Sequence, residues 1–477
     1  MLNVKRIQDI MRTDIGVDGD AQRISQITWM LFLRIFDGME EEAAIMDDSY
    51  RSPLPDGCRW SAWAADAEGL TGDDLISFVN NTLFPTLADL ADTARTPRGR
   101  LVGRIMKDSA NYMKSGILLR QVINEISQLD YTSQKERHLF NDVYETILRD
   151  LQNAGNAGEY YTPRAVTQFM IDMVDPRLGE TILDPACGTG GFLVCAYEHI
   201  KNHYVKTVEE HDALRQALRG VEKKPLPYTL SVTNLISHGI EVPGIDHDNS
   251  LSRPIKDHPW RDKIHVIVTN PPFGGKEEGG IENNFPAAYK TKETADLFLY
   301  LITELLAPGG RAAVVLPDGF LFGEGVKTRI KEKLLSECNL HTIVRLPNGV
   351  FAPYTGINTN LLFFTKGEPT EEIWYYEHPY PEGYKSYSKT KPIRIEEFAP
   401  EKEWWNRRET NDRAWRVTIG EVKDRGYNLD SKNPSILGDA HRDPAELLAE
   451  YHRATAAAQT LRDKVKHLLA AALEDKP

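Results

Sequence analysis

Apolar residues in the first third of the chain recur at steps of three and four positions, the period of a helix with one buried face. Ile24, Ile27, Leu31 and Ile35 share such a face, and the charged residue Arg34 stands among them. Residues 50–70 interrupt the pattern and are rich in Pro, Gly and Trp. The predicted helical stretches are residues 14–44, 75–90, 101–129 and 136–151. We therefore predict an all-helical N-terminal domain over residues 1–155.

Beyond this domain, short apolar runs alternate with helical stretches, which is the pattern of an α/β sheet. The clearest strand, at residues 264–269, is apolar or β-branched at nearly every position, as a strand covered on both faces needs to be. The predicted strands are residues 181–184, 218–222, 264–269, 311–317, 342–347 and 358–365, with a further strand end within 245–251. No helix separates the last two, so we expect them to be antiparallel. We predict one α/β domain over residues 156–430, of which 370–430 carry no clear pattern.

Two other stretches of this region have distinct patterns. Residues 277–294 are charged and Gly-rich, which predicts a long loop. Residues 296–306 have the spacing of an amphipathic helix, and further helices are predicted at 230–240 and 327–337.

The last residues, 431–477, carry a separate helical pattern. Asp443, Pro444 and Glu446 form a helix-capping sequence. The apolar side chains that follow are spaced for helix–helix contact, and they include Leu448, Tyr451, Leu461 and Val465. Such a stripe packs either on the body of its own chain or on a partner, and we favour a partner.

The composition limits the class of protein. The 477 residues are enough for two or three domains. No apolar run reaches the length of a bilayer span and no signal peptide is visible, so we expect a cytoplasmic protein. Four scattered cysteines argue for a reducing compartment and against a structural zinc site. The net charge of -13 argues against a chain that grips DNA without a local basic face or a partner.

The candidate chemistry lies where the strand at residues 264–269 ends. The chain continues into Asn270-Pro271-Pro272-Phe273, and the prolines stop the strand because neither can donate a backbone N–H. In an open α/β sheet, ligands bind at the carboxyl ends of the strands. The Asn270 side-chain oxygen and the Pro271 carbonyl can both accept hydrogen bonds from one amino group, while Phe273 can stack on the ring that carries it. Alone, these residues would equally suit a strand-ending turn.

A Gly-rich turn follows the first predicted strand and leads into an apolar helix. The turn comprises Asp184, Pro185, Ala186, Cys187, Gly188, Thr189, Gly190 and Gly191. Glycines let the backbone approach a ligand closely and adopt positive φ. The spacing differs from the dinucleotide fingerprint Gly-X-Gly-X-X-Gly, and an acid before the turn suits a cationic or amine-bearing ligand better than a pyrophosphate. We expect Cys187 to be a packing residue and not a nucleophile.

Other candidate residues flank these two motifs. Thr162 precedes Pro163, which is typical of a helix start with Thr as the N-cap and proline at the first helical position. An alternative function for Thr162 and its neighbour Tyr161 is contact with a ligand. Glu222 ends the second predicted strand, where an acid would bind ribose hydroxyls.

The next strand end, within residues 245–251, holds two candidates for contact with an adenine ring, Asp248 and Asn249. A solvated turn is a nearly equal interpretation of both residues. His247, which precedes them, is most simply a surface histidine.

The order of these motifs resembles that of the amino-methyltransferases of DNA: Tyr161 to Pro163, then the turn at 184–191, then Asn270 to Phe273. More narrowly, the chain is similar to the modification subunits of type I restriction-modification systems. The further matches are residues 31–34, 346–356 and 427–430. The resemblance covers nearly the whole chain.

The resemblance implies a Rossmann-like class I methyltransferase sheet with an N-terminal all-helical domain and a C-terminal helix. It implies methyl transfer from S-adenosyl-L-methionine to N6 of a flipped adenine in DNA, without a metal. The residues that it assigns to the cofactor are Tyr161, Thr162, Asp184, Ala186, Gly188, Thr189, Gly190, Gly191, Glu222 and either Asp248 or Asn249. The residues that it assigns to catalysis are Asn270, Pro271, Pro272 and Phe273.

The implied partners are a specificity subunit that reads the target sequence, double-stranded DNA and a restriction subunit with nuclease or translocase activity. Two copies of this chain are expected per complex. The negative net charge fits a subunit whose target sequence is recognised by a separate specificity subunit. Three alternatives stay open: methylation of RNA or of glutamine side chains, an assembly subunit with a vestigial cofactor site, and a nucleotide-dependent oxidoreductase, which the missing fingerprint disfavours.

Overall fold

The computed structural model describes residues 4–128, 161–352, 355–388, 390–435 and 444–474. The predicted helix at residues 136–151 and the predicted boundary at 155 lie outside these ranges. Of the helices that are described, none has the length and apolar character needed to span a membrane.

The N-terminal region is helical, as predicted. Its helices are α1 (Val4–Arg12), α2 (Asp20–Met46), α3 (Trp60–Trp63), α4 (Gly72–Phe78), α5 (Phe84–Thr93), α6 (Pro97–Lys107) and α7 (Gly116–Ser127), with a π-helical turn at Val79–Leu83. The long α2 buries Trp29 and Phe36 in the core. The helical stretch predicted over residues 101–129 is divided between α6 and α7. Between these helices the Asp14 carboxylate accepts hydrogen bonds from the backbone amides of Lys114 and Ser115.

The strands of the described residues form one nine-stranded sheet. They are β1 (Ile182–Asp184), β2 (Leu218–Glu222), β3 (Ile245–His247), β4 (Ile264–Thr269), β5 (Leu306–Pro317), β6 (Cys338–Leu346), β7 (Thr359–Lys366), β8 (Glu372–Glu377) and β9 (Ala414–Thr418). Their order is β3-β2-β1-β4-β5-β7-β6-β8-β9. The sequence left β8 and β9 unassigned.

The direction of the strands determines which loops meet. Strands β1 to β5 are parallel, and β7 is antiparallel to both β5 and β6, which confirms the predicted antiparallel pair. Strand β8 is parallel to β6, and β9 is antiparallel to β8. The carboxyl ends of β1 to β6 and of β8 therefore share one side of the sheet, which we call the carboxyl edge.

Helices cover both faces of this sheet. They are α8 (Arg164–Val174), α9 (Gly191–His203), α10 (Val208–Ala217), α11 (Pro225–Ser237), α12 (Thr294–Leu305), α13 (Asp318–Phe322), α14 (Val326–Glu337), α15 (Ala399–Trp405) and α16 (Ile419–Asp424). The predicted amphipathic character of α12 is wrong: each of its residues is buried, because the sheet and α14 pack around it. The predicted loop at 277–294 holds two short 3-10 turns, Ile281–Asn284 and Ala287–Tyr289.

The helical region and the sheet are joined at the end of β3. The Nδ1 atom of His247 lies 3.0 Å from the carboxylate of Asp108, which follows α6. The His247 ring also stacks on Tyr228 of α11, with centroids 4.8 Å apart. His247 is therefore not the plain surface histidine that the sequence predicts, because it connects α6 to the carboxyl edge.

A separate helix, α17 (Pro444–Glu474), forms the end of the chain, as predicted. Its apolar residues Leu448, Tyr451, Leu461 and Val465 are each more than half exposed. Their contact with a partner stays a prediction.

Candidate functional site

Asn270 directly follows β4 at the carboxyl edge and is 8% exposed. Its Nδ2 atom donates a hydrogen bond to the Thr162 hydroxyl at 3.0 Å. Its Oδ1 atom is buried and has no hydrogen-bond partner among the residues that the structure describes. An acceptor left in this state costs about 1–3 kcal/mol, which a bound donor would recover. The bond to Thr162 thus fixes the amide so that the oxygen is the atom offered to a ligand.

The predicted N-cap role of Thr162 is wrong. Helix α8 begins at Arg164 with Pro163 as its N-cap, and no capping bond from a side chain is present there in the described residues. The Thr162 hydroxyl is engaged with Asn270 instead. Tyr161 beside it is half-buried and packs on the main core. Thr162 therefore lies next to the motif that follows β4.

Phe273 is 8% exposed, whereas Pro272 before it is exposed. The ring centroids of Phe273 and Phe351 lie 6.0 Å apart with the planes at 67°. Phe351 comes from the loop after β6, so loops from the carboxyl ends of two strands meet at Phe273. This loop was part of the sequence resemblance, but the contact itself has no signal in the sequence.

Asp184, the last residue of β1, is almost completely buried. Its Oδ1 atom accepts the backbone amide of Ala186 at 3.1 Å. Burial raises the pKa of Asp184 to about 7, although the Thr269 hydroxyl and the Ala186 amide favour the ionised form. A cation bound beside this carboxyl group would favour ionisation further.

The turn after Asp184 has the backbone geometry that glycine allows. Gly188 and Gly190 have φ values of +51° and +80°, in the left-handed region. The turn leads into α9, which starts at Gly191, and Asn234 donates to the Thr189 carbonyl at 3.1 Å. Cys187 is buried, which agrees with its predicted packing role.

Glu222 ends β2 and supports this turn. Its Oε2 atom accepts the Gly188 amide at 2.9 Å, and its Oε1 atom accepts the Lys224 amide at 2.8 Å. The side chain is half-buried. Glu222 and the Gly-rich turn thus form one connected wall at the carboxyl edge.

Asp248 and Asn249 both make contacts within the chain. Asp248 pairs with Arg253 at 2.9 Å and accepts the Asn249 amide at 2.8 Å. The Asn249 Oδ1 atom accepts the Leu251 amide, and its Nδ2 atom donates to Glu277 at 3.2 Å. The geometry therefore does not single out either residue as the adenine contact.

Glu277 is a further residue of the carboxyl edge, and the sequence did not suggest it. It lies in the loop after Phe273, and its side chain is only 10% exposed. Its carboxylate contacts Asn249 at 3.2 Å, Lys223 at 3.4 Å and Thr294 at 3.3 Å. Asn249 follows β3, Lys223 follows β2 and Thr294 begins α12. Because β1 lies between β2 and β4 in the sheet, Glu277, which follows β4, reaches across the carboxyl end of β1. A glutamate in a charged loop gives no sign of such contacts.

The structure thus brings the predicted residues of both motifs to one edge of the sheet. Within the described ranges, no group of three or more His, Cys, Asp or Glu side chains is arranged to hold a metal ion. The strand order, the antiparallel β7 between β5 and β6, and the Gly-rich turn after β1 define the Rossmann-like class I methyltransferase fold that the sequence predicts.

Comparisons with known proteins narrow this class to a family. Residues 135–439 match the family described as N-6 DNA Methylase, and residues 3–126 match the HsdM N-terminal domain. The chain is 59% identical to the type I restriction enzyme EcoEI methylase subunit of Escherichia coli, over 98% of this chain and 97% of that protein. The chain therefore belongs to the methylase subunits of type I restriction-modification systems.

Two solved structures have the same fold. A modification subunit of a type I restriction enzyme from Vibrio vulnificus YJ016 is 45% identical, with a TM-score of 0.81 over 91% of this chain and 96% of that one. A chain from a study of assembly and conformational transition in the type I system is 36% identical, with a TM-score of 0.81 over 99% and 98%.

Proposed function

We propose that this chain transfers a methyl group from S-adenosyl-L-methionine to N6 of an adenine flipped out of duplex DNA. The observation that carries the proposal is the buried Oδ1 atom of Asn270, which Thr162 orients and which has no partner in the described part of the chain. An amino group is the donor that this acceptor and the Pro271 carbonyl would bind together. A base carrying such a group must leave the duplex to reach a pocket of this kind.

The residues at the carboxyl edge fit the proposed cofactor. Gly188 and Gly190 adopt positive φ and carry no side chain, so a ligand can approach the backbone of the turn. Asp184 has a buried carboxyl group that would suit a cation, and we propose that Glu222, at the end of β2, binds ribose hydroxyls. We propose that Tyr161, Thr162, Ala186, Thr189 and Gly191 line the same site, together with Asp248 or Asn249.

The cofactor supplies an electrophilic methyl group on its sulfonium. The chain supplies orientation and electrostatic placement. The N6 amino group would donate hydrogen bonds to Asn270 and to the Pro271 carbonyl. These bonds would draw the nitrogen toward tetrahedral geometry and localise its lone pair. Phe273 would fix the plane of the ring, and Pro272 stiffens the loop that holds it. None of these roles needs a strong base.

The partners follow from charge and exposure. With a net charge of -13, the chain is poorly suited to grip DNA unaided, which supports a specificity subunit that reads the sequence. We propose that α17 and the helical domain, over residues 1–155, contact that subunit and the DNA, with the methyltransferase domain at 156–430 and the tail at 431–477. A restriction subunit and a second copy of this chain would complete the assembly. The four cysteines are buried and form no disulfide, which fits the reducing compartment that we propose.

The experiment that tests the proposal is transfer of labelled methyl from S-adenosyl-L-methionine to DNA, RNA and protein in parallel. We expect label in DNA when the specificity subunit is present. Asn270→Ala should lower the rate by about 100- to 1,000-fold, the usual loss for one oriented transition-state hydrogen bond. Label in RNA or protein alone would contradict the proposal, and an unchanged rate in Asn270→Ala would favour a non-enzymatic subunit.

The proposed role of the tail needs its own test. Deletion from residue 443 onward should weaken the complex with the specificity subunit, measured by size-exclusion chromatography. A complex that assembles fully without the tail would refute this role.

A further inference from the structure

Residues 380–394, which we call the basic segment, stand out in an acidic chain. They contain four basic residues and one acidic residue, a net charge of +3, against -13 for the whole chain. The segment also contains three tyrosines and three serine or threonine residues, which alternate with the lysines. The sequence pattern of residues 370–430 suggested no role for it.

The direction of β8 places the basic segment at the carboxyl edge. The segment follows β8, which is parallel to β6, so it leaves the sheet on the same side as Asn270. The Tyr380 hydroxyl donates to the carbonyl oxygen of Asn348 at 2.9 Å. Asn348 belongs to the loop that carries Phe351, whose ring contacts Phe273. One short chain of contacts therefore links the basic segment to the candidate catalytic loop.

Buried side chains hold the segment in place. Tyr387 is 3% exposed, and its hydroxyl donates to Glu397 at 2.5 Å and lies 3.3 Å from the Nε2 atom of His378. The other ring nitrogen of His378 lies 2.6 Å from the buried Glu401 carboxylate. Gly349, with φ at +83°, packs so closely that a Cβ atom there would lie 2.5 Å from the Tyr387 carbonyl oxygen. The backbone of the segment is thus fixed against the loop after β6.

Three polar side chains of the basic segment are exposed to solvent, those of Lys385, Thr390 and Lys391. Ser388 and Lys391 exchange backbone hydrogen bonds at 3.1 and 3.0 Å, which closes the tip of the segment. The Lys391 ammonium lies 5.1 Å from the centre of the Tyr384 ring, which holds the lysine side chain over an aromatic surface.

We propose that the basic segment binds the phosphate backbone of DNA beside the flipped adenine. This inference rests on the proposed function and adds to it the surface that holds the substrate. Lysine, serine, threonine and tyrosine are the side chains that contact phosphate oxygens, and such contacts position a duplex without reading its sequence. Two exposed lysines on a segment that contacts the loop carrying Phe351 supply the local basic face that the net charge of the chain lacks.

The test is the salt dependence of duplex binding by the complex of the full chain with its specificity subunit. The Lys385→Gln/Lys391→Gln double variant should reduce the slope of log K against log salt by roughly 2, one for each lysine that no longer neutralises a phosphate. The decrease in affinity should be equal for duplexes with and without the target sequence. The matched control is Lys263→Gln/Lys423→Gln, which removes two exposed lysines outside the basic segment, one directly before β4 and one on α16. That control should keep the wild-type slope.

The outcomes separate this inference from the function beneath it. If the wild-type complex methylates DNA but the double variant keeps its slope, the inference is overturned and the function stands. If the double variant no longer assembles with the specificity subunit, the segment is a protein contact and the inference is again overturned. If the wild-type complex neither binds nor methylates DNA, the proposed function fails and the inference falls with it.

Discussion

Asp184 makes the stability of this protein depend on pH in a direction opposite to that of most carboxylates. Burial raises its pKa from 3.8 to about 7. Between these two values the folded protein holds a proton that the unfolded chain has released, so the free energy of unfolding falls as pH rises. The difference of about 3 pKa units corresponds to about 4 kcal/mol, which disappears between pH 4 and 7. Asp184→Asn removes this penalty, so the variant should be more stable than the wild type above pH 7.

The assay is thermal unfolding of both proteins, without cofactor, from pH 4 to 8. The gain in melting temperature of Asp184→Asn over the wild type should be near zero at pH 4 and rise to about 4–7 °C at pH 8, at about 1–2 °C per kcal/mol for a chain of this length. Asp248→Asn removes a half-exposed carboxylate at the same edge and controls for the substitution. A gain that does not change with pH would refute the reasoning.

The same carboxyl group should bind the cofactor's positive charge. Adding S-adenosyl-L-methionine should stabilise the wild type more at pH 8 than at pH 5, because the ionised form favours a bound cation. Asp184→Asn should lose this pH dependence. Equal stabilisation at both pH values would separate Asp184 from the cofactor.

Three further predictions concern neighbouring residues. Thr162→Val should lower the methylation rate at saturating cofactor by about tenfold, because the Asn270 amide loses the bond that orients it; an unchanged rate in single-turnover kinetics would contradict this. Glu277→Ala should weaken cofactor binding, measured by calorimetry, by about tenfold, which corresponds to about 1.4 kcal/mol. The control Glu278→Ala removes an exposed neighbouring carboxylate and should keep the wild-type affinity; equal cofactor affinities for Glu277→Ala and the wild type would refute the role of Glu277. Gly190→Ala should cost about 1–2 kcal/mol of stability, because φ is +80° and Ser231 lies 3.2 Å from the added Cβ atom; a melting temperature equal to that of the wild type would contradict this.

The sequence predicted those parts of the site that depend on local chemistry. A buried strand followed by Asn270 and two prolines, and a strand followed by an acid and glycines, each define a strand end and its loop without reference to the rest of the fold. Because parallel strands share one edge, both motifs had to meet there. The antiparallel arrangement of β6 and β7 was predictable because no helical pattern separates the two strands in the sequence.

The parts that the sequence missed depend on contacts between distant residues. Thr162 followed by proline has the pattern of an N-cap, and only the packing of α8 against β4 reveals its bond to Asn270. Glu277 has the surroundings of a solvated charge, yet loops from three strands bury it. Strand β8 lies inside the sheet, between β6 and β9, and helices cover both of its faces. It therefore carries aromatic residues on both faces, and the alternation of apolar and polar residues that identifies a half-exposed strand is missing.

The most direct test of the proposed function is the identity of the methylated atom. Unmethylated duplex DNA would be incubated with S-adenosyl-L-methionine, this chain and its specificity subunit, and its nucleosides would be separated by mass spectrometry. We predict N6-methyladenine with the wild type and at least 100-fold less with Asn270→Ala, a variant that should still bind the cofactor. Methylation at cytosine, or wild-type amounts of N6-methyladenine from Asn270→Ala, would contradict the proposed function.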